Sequence, residues 1–327
     1  RFACAELDEK QLNDCLIAID EFHHVSAEGD NRLGEVMKNI MAKSNGHIIA
    51  MTGSYFRGDN VPVLMPEDEI KFTKVTYNYY QQLNGYEYLK SLGIGYHFYT
   101  GRYFKKPFDK DMSALEEILD VNKKTIIHIP NVNANESSKD KMAEVGHILD
   151  ILGDVDYQDP ETGVIYVKNP ATGKTLKVAD LVNDEPKDRE KISTYLRTMD
   201  DVDAIDIIIA LGMAKEGFDW PYCEHALKIG HSGCLISTFR LIGGSLTEII
   251  QIIGRATRDS SNKTHAQFTN LIAEPEAEGT EVKIAVNNML KAITASLLME
   301  QVLAPNFNFK LKSESDKEAK NDKVNDD

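Results

Sequence analysis

The sequence predicts an α/β protein built on parallel strands, and three observations carry that prediction. Short apolar, β-prone runs alternate with stretches whose apolar residues recur at helical spacing. Polar clusters stand where the apolar runs end, which is the edge at which open parallel sheets place their ligands. The composition, 42% apolar and 27% charged, is that of a globular chain able to cover both faces of a sheet.

The elements follow in order. Leu16-Ile17-Ala18-Ile19 reads as a short buried parallel strand. Residues 30–43 put Leu33, Val36, Met37 and Ile40 on one helical face, and His47 to Met51 forms the next strand, stopping at Thr52-Gly53-Ser54. Residues 60–110, with prolines, many tyrosines and no clear period, read as a connecting stretch. Alternation resumes with a strand at 125–129 and a helix at 139–152. Two turn signals flank short β-prone runs in DPETGVIYVKNPATGKTLKV, residues 159–178, which predicts a hairpin insertion. A helix at 186–199, strands at 204–211 and 225–230, a helix at 245–253, a strand near 267–272 and a helix at 281–303 complete the pattern. The expected organisation is a first unit over 1–75, a linker over 76–110, and a second unit over 111–310 with the hairpin near 154–180. A disordered tail is expected over 311–327, which holds few apolar residues.

The chain is long enough for more than one core, since domains run about 100–200 residues. A net charge of −15 argues against a nucleic-acid coat protein but leaves room for a local basic groove. Cys4, Cys15, Cys223 and Cys234 form no CxxC pair and read as reduced thiols, so a cytoplasmic protein is expected. No apolar run nears the ~20 residues of a membrane span, and no membrane partner is expected. The first residue is Arg1 and a strand follows soon after, so an N-terminally truncated fragment is expected.

Three stretches carry chemistry. Asp20 and Glu21 follow the first strand, where one carboxylate can hold a magnesium ion and its neighbour can orient a water. The same pair suits an acidic turn capping the next helix. In SLTEIIQIIGRATRDS, residues 245–260, Ser245 and Glu248 have capping-box spacing. Gln251, Arg255 and Arg258 then fall within two helical turns, with Gly254 leaving one side open. Such a group suits a triphosphate whose transferring group gains charge, and an arginine so placed is worth roughly 10³–10⁵ in rate. The alternative is a solvated basic face, against which stand Ile249, Ile250, Ile252 and Ile253 on the surrounding positions. The third stretch, 210–230, leaves a strand through a loop with Lys215, Glu216, Gly217 and Asp219. Glycine there permits close backbone approach and Asp219 can accept from a ribose hydroxyl, although such loops are common.

Together the three stretches resemble the superfamily 2 helicases and translocases. DEFH, Asp20–His23, is similar to the DEAD/DEAH box in its DExH form, and TGS, Thr52–Ser54, to the coupling element. GMAKEGFDWP, 212–221, looks like the Gly-x-Asp element of the second domain, and QIIGRATR, 251–258, matches QxxGRxxR at every fixed position. The resemblance implies two RecA-like parallel-sheet domains of the P-loop NTPase type, the first incomplete, closing on ATP and Mg2+. It implies that Asp20 holds magnesium through water and that Glu21 is the general base. His23, Thr52 and Ser54 would couple nucleotide state to closure. Gln251, Arg255 and Arg258 would reach the γ-phosphate, with Arg258 as arginine finger, and Gly217 and Asp219 would lie near ribose and phosphate. The wording EGFDWP looks closer to the helicase subunits of type I and III restriction enzymes, which implies DNA rather than RNA and other subunits of a restriction or repair complex as partners. Lys43, Arg57 and Lys215 are candidates for nucleic-acid contact by position.

The family's phosphate loop, Gly-x4-Gly-Lys-Ser/Thr, does not precede Asp20. Gly173-Lys174-Thr175 imitates its end, but Lys168 stands where the first glycine belongs and the surroundings predict a turn. Cys223, His225, His231 and Cys234 have the residue types of a zinc site but straddle a strand, so a core strand is expected. A non-catalytic interaction module that kept the fold is the competing reading. A metal-dependent nuclease ranks last, for want of further acidic ligands at Thr52–Ser54.

Overall fold

The computed structural model describes residues 9–22, 25, 31–52, 63–75, 77, 79–99, 113–130, 140–183, 185–211, 219–231, 246–273 and 280–298. The predicted tail lies outside them.

A small unit comes first. A 3-10 turn, Glu9–Leu12, leads into β1, Leu16–Ile19; helix α1, Arg32–Lys43, crosses to β2, His47–Ala50, which runs parallel to β1 with Leu16 opposite His47. The α1 N-cap is Asn31, whose Oδ1 accepts from the Gly34 N–H at 2.7 Å and so satisfies an otherwise orphaned donor. Asn45 ties the starts of both strands: its Oδ1 accepts from Asp14 N–H and its own N–H donates to Asn13 Oδ1. Met37 and Ile40 of α1 bury against Phe22, Val25, Val63 and Leu64. That covers one face only. Leu16 is 66% exposed and Ile49 46%, so β1 alternates rather than being the buried strand expected, and β2 alternates with it. The reason is that α1 lies on one side and, among the described residues, nothing packs on the other.

Helix α2, Pro66–Glu69, has proline in its first turn, where the missing N–H costs nothing. The stretch expected to be a linker then departs from that reading. It holds α3, Tyr79–Gly85, and a nine-residue strand β3, Ser91–Tyr99. Its period is interrupted by Gly93 and Gly95, and at Gly93 the amide end of the Gln267 side chain on the neighbouring strand fills the space a Cβ would take.

Among the described residues the second sheet has eight strands, from edge to edge β3, β10 (His265–Ala273), β9 (His225–His231), β4 (Thr125–Ile129), β8 (Ile207–Leu211), β7 (Thr175–Asp180), β6 (Ile165–Lys168) and β5 (Asp154–Gln158). Between α4, Ala114–Ile118, and α5, Lys141–Leu152, lies β4, Thr125–Ile129. A meander follows with β5, Asp154–Gln158, β6, Ile165–Lys168, and β7, Thr175–Asp180; then come α6, Pro186–Thr198, β8, Ile207–Leu211, and β9, His225–His231. Helix α7, Leu246–Ala256, strand β10, His265–Ala273, and helix α8, Thr280–Leu298, finish the unit. Pairing is parallel from β3 through to β7 and antiparallel for β5–β6 and β6–β7. The expected hairpin is thus no appendage: its last strand pairs with β8 and extends the sheet.

Both faces of this sheet are covered. Ile126, Ile208, Ala226 and Phe268 pack with Ile249, Ile253 and Ile293 of α7 and α8; Ile127, Ile209, Leu227 and Leu271 pack with Leu115, Ile148 and Leu152 of α4 and α5. Alternating residues serve two cores, which is why β4 reads as unbroken apolar sequence. Among the described residues no helix is long and apolar enough to cross a membrane.

The two meander turns repeat one design, Asp159-Pro-Glu-Thr-Gly163 and Asn169-Pro-Ala-Thr-Gly173. In each, the first residue's carbonyl accepts from the glycine N–H, at 2.8 and 2.9 Å, and its side-chain oxygen accepts from the threonine hydroxyl. Both glycines have positive φ, 78° and 69°, which a side chain would resist. Lys174 donates to Asp206 Oδ1 at 2.8 Å. Gly173-Lys174-Thr175 therefore forms a turn leading into a strand, not a phosphate loop.

Candidate functional site

The acidic end of the small sheet is built by two backbone bonds between loops. Met51 N–H donates to Ile19 O at 2.8 Å and Phe22 N–H donates to Met51 O at 2.9 Å, which sets Asp20 and Glu21 beside Thr52 at the carboxyl edge of β1 and β2. Phe22, buried, anchors the turn and meets Phe72 at a centroid distance of 6.1 Å. Glu21 has φ 50°, the left-handed region, which costs a side-chain-bearing residue on the order of 1–2 kcal/mol. Its N–H donates to Asp20 Oδ1 at 2.9 Å. Strain of this kind persists where the surroundings over-determine it, and it is common at functional turns. Asp20 is exposed at the strand end. Among the described residues no cluster of three or more His, Cys, Asp or Glu side chains surrounds it. One carboxylate completed by waters and phosphate oxygens is how magnesium is ordinarily held, so the donor set fits that ion. His23 and Ser54 lie outside the described residues, as does Arg57.

The basic end belongs to α7. Gln251 and Arg255 are half-buried on the helix, but Arg258 is not on it, contrary to expectation: α7 ends at Ala256. Past its end, side chains reach back to its last carbonyls, with Ile253 O also accepting the helical Thr257 N–H at 3.1 Å. Thr257 Oγ1 donates to Ile253 O at 3.2 Å, and Lys263 Nζ donates to Ala256 O at 2.9 Å, a cation at a helix C-terminus. Arg258 therefore sits in the bend beyond, half exposed, with its Nε 3.6 Å from Asp219 Oδ1. Two predicted residues nearly forty positions apart are thereby brought together. Such an exposed pair contributes about 0–1 kcal/mol to folding, so stability alone is a weak reason for it. Gly254 does not face an open side either. Tyr79 of α3 covers it, with its hydroxyl 3.3 Å from where a Cβ would stand, and that phenol, raised above its usual range by burial, bonds the Thr257 side chain.

Two residues missed in the sequence brace this bend. Lys263, buried, donates to Pro221 O at 2.7 Å, to Cys223 O and to Ala256 O, joining the Asp219 segment to the end of α7. Burial pushes its pKa down to about 8. Asp259 accepts three backbone N–H bonds from Glu87, Tyr88 and Leu89. Desolvation opposes its charge, yet those donors hold the carboxyl below its usual range. The only sequence signal was a lysine in a short polar turn and an acid after the last arginine. Glu248 lies 3.7 Å from Lys228 of β9, a lysine whose charge is disfavoured by burial, and its expected capping box with Ser245 falls partly outside the described residues. Ser245 lies outside the described residues, as do Gly217 and Lys215.

Cys223 and His225 are core residues. Burial pushes the Cys223 thiol up to about 12, and its Sγ donates to His225 O at 3.4 Å. The His225 ring bonds Thr269 Oγ1 of β10 at 2.9 Å, and burial lowers its pKa to about 4. Cys234 and the His231 side chain lie outside the described residues.

No family model matches the chain. It is 61% identical over 318 residues to a Bacillus subtilis (strain 168) protein named "Putative ATP-dependent helicase YeeB". The match takes in 97% of this chain and 50% of that protein, so the chain spans about half the length of the curated relative it matches. Among solved structures, the Mycobacterium smegmatis helicase Lhr bound to ssDNA and AMP-PNP aligns with a TM-score of 0.49 at 12% identity, over 89% of this chain and 32% of that one. A dbp5 variant of S. cerevisiae bound to gle1 and ip6 aligns at 0.43 and 11% identity, over 95% of this chain and 62% of that one.

Proposed function

We propose that this chain, like the Bacillus protein it matches, is part of an ATP-dependent helicase, a nucleic-acid motor of the superfamily 2 type acting on DNA, with the acidic and basic ends as the two walls of its nucleotide site. The observation that carries this reading is the Arg258–Asp219 pair in the bend after α7: a guanidinium cation two residues past the helix, held by an exposed carboxylate rather than by the core. Asp219 is the resting partner of Arg258 and yields it to a phosphate. Glu21 orients the hydrolytic water and Asp20 holds the ion's water shell. Gln251 and Arg255, on the preceding turns, add donors toward the same phosphate, and Thr52 reports on the acidic wall. Magnesium, which Asp20 would hold through water, would supply positive charge against the charge that develops on the phosphate.

The test is ATP hydrolysis by the complete protein carrying this chain, with and without DNA. Arg258→Ala is expected to lower kcat about 10³-fold or more, and Glu21→Gln to abolish turnover while leaving nucleotide binding. Full activity in both variants would remove the site assignment. DNA binding by a complete protein without any turnover would favour the interaction-module reading instead.

A further inference from the structure

Asp259, the residue after Arg258, reaches a segment about 170 positions earlier in the chain. Its Oδ2 accepts from Glu87 N–H at 2.7 Å; its Oδ1 accepts from Tyr88 N–H at 3.1 Å and from Leu89 N–H at 2.8 Å. Three consecutive amides converging on one carboxylate form a nest, a geometry that holds an anion firmly and fixes the backbone on both sides of it. The amides lie between α3 and β3, on the stretch of chain that connects the two sheets.

The strand does not need this anchor. β3 already pairs with β10 along nine positions, Lys90 N–H donates to Thr264 O at 2.9 Å, and Leu89 is fully buried. What the carboxylate adds is a link between the connecting stretch and the backbone of Arg258. A second contact runs in parallel: Tyr79 of α3 covers Gly254 and bonds Thr257, two residues of the same helix end. Segment 79–89 and bend 254–259 are thus joined at both ends, while the Arg258 side chain stays half exposed.

We propose that Asp259 is a positioning residue that fixes the Arg258 bend to the connecting segment 79–89, so that capture of a phosphate by Arg258 is felt by the polypeptide joining the two sheets. The proposal rests on the phosphate-sensing reading of Arg258 given above. It assigns Asp259 no contact with nucleotide or nucleic acid.

The test is a double-mutant cycle in the complete protein, read by DNA-stimulated ATP hydrolysis in single- and multiple-turnover form. Asp259→Asn keeps the shape but turns one acceptor into a donor facing an N–H group. It is expected to lower kcat roughly ten- to hundredfold, the usual penalty for a displaced catalytic group, with KM for ATP little changed. In an Arg258→Ala background the same substitution is expected to add no further loss, because a residue acting only through Arg258 has nothing left to position. Asp259→Ser, which keeps one acceptor, is expected to fall between and serves if the asparagine variant does not fold. Full kcat in Asp259→Asn, or an equal loss in both backgrounds, overturns the proposal. Full activity in Arg258→Ala overturns the phosphate-sensing reading itself, and the clamp with it. An inactive Arg258→Ala beside a fully active Asp259→Asn removes the clamp alone.

Discussion

The two sheets hold their functional ends in opposite ways. The acidic end rides on two four-residue strands, one face of them uncovered among the described residues, and is set by short-range backbone bonds and one strained residue, Glu21. The basic end rides on a sheet covered on both faces and is braced by Asp259, Lys263 and Tyr79, each reaching across the fold. The contrast teaches that the same job, fixing a charged group at a strand or helix end, can be done by local geometry or by remote clamps. The two solutions differ in what breaks them.

The sharpest test of that contrast is a matched pair of truncations. Ile208→Ala, in a core strand, is expected to destabilise the fold by about 2–5 kcal/mol, whereas Ile49→Ala, half exposed on β2, should stay near 0.5 kcal/mol by urea titration. Equal losses would mean the small sheet is as well covered as the large one. Acid comes next. His225 is held neutral by burial, with a pKa of about 4 against about 6.5 in the unfolded chain. The unfolded state therefore binds more protons between those values, so this contribution is complete above pH 6.5 and is lost as pH falls towards 4. It amounts to something on the order of 3 kcal/mol at most. His225→Gln should flatten that part of the stability–pH curve; an unchanged slope would show the ring is not the group responsible.

At the basic end, Lys263→Met leaves the Pro221, Cys223 and Ala256 carbonyls without their shared donor, which should cost about 1–3 kcal/mol and lower DNA-stimulated turnover as well. A variant that loses stability but keeps full turnover would separate the brace from the chemistry. The smallest effect is expected at the acidic end. Glu21→Gly accepts the left-handed conformation and should fold with equal or greater stability, by up to about 1 kcal/mol, while turnover disappears. A clear loss of stability there would show that the Glu21 side chain, not the turn geometry, supports the loop.

What could be read in the sequence was what neighbours along the chain decide. The alternation of strands and helices, the α7 spacing and the gathering of Asp20, Glu21 and Thr52 at strand ends all follow from local pattern. Strand β3 escaped because Gly93 and Gly95 interrupt its alternation, while what defines it is pairing with β10 about 174 residues later, which leaves no period behind. Arg258 was placed on the helix because three-residue spacing permits it. The helix ends two residues earlier, with Lys263 on its last carbonyl, and no pattern within α7 announces that donor. Asp259 could be seen as an acid after an arginine, but its three donors sit about 170 residues away.

The repeated meander turn also explains why a phosphate-loop likeness arose where none is needed. Both kinds of loop carry the letters Gly-Lys-Thr and turn backbone amides toward acceptor oxygens. In Asn169-Pro-Ala-Thr-Gly173 those oxygens are already within the chain: Asn169 Oδ1 receives the Thr172 amide and hydroxyl, and Asn169 O receives the Gly173 amide. The lysine that a nucleotide would claim is turned to Asp206. The loop is its own guest, and a string of letters cannot tell a cradle that is waiting from one that is already filled.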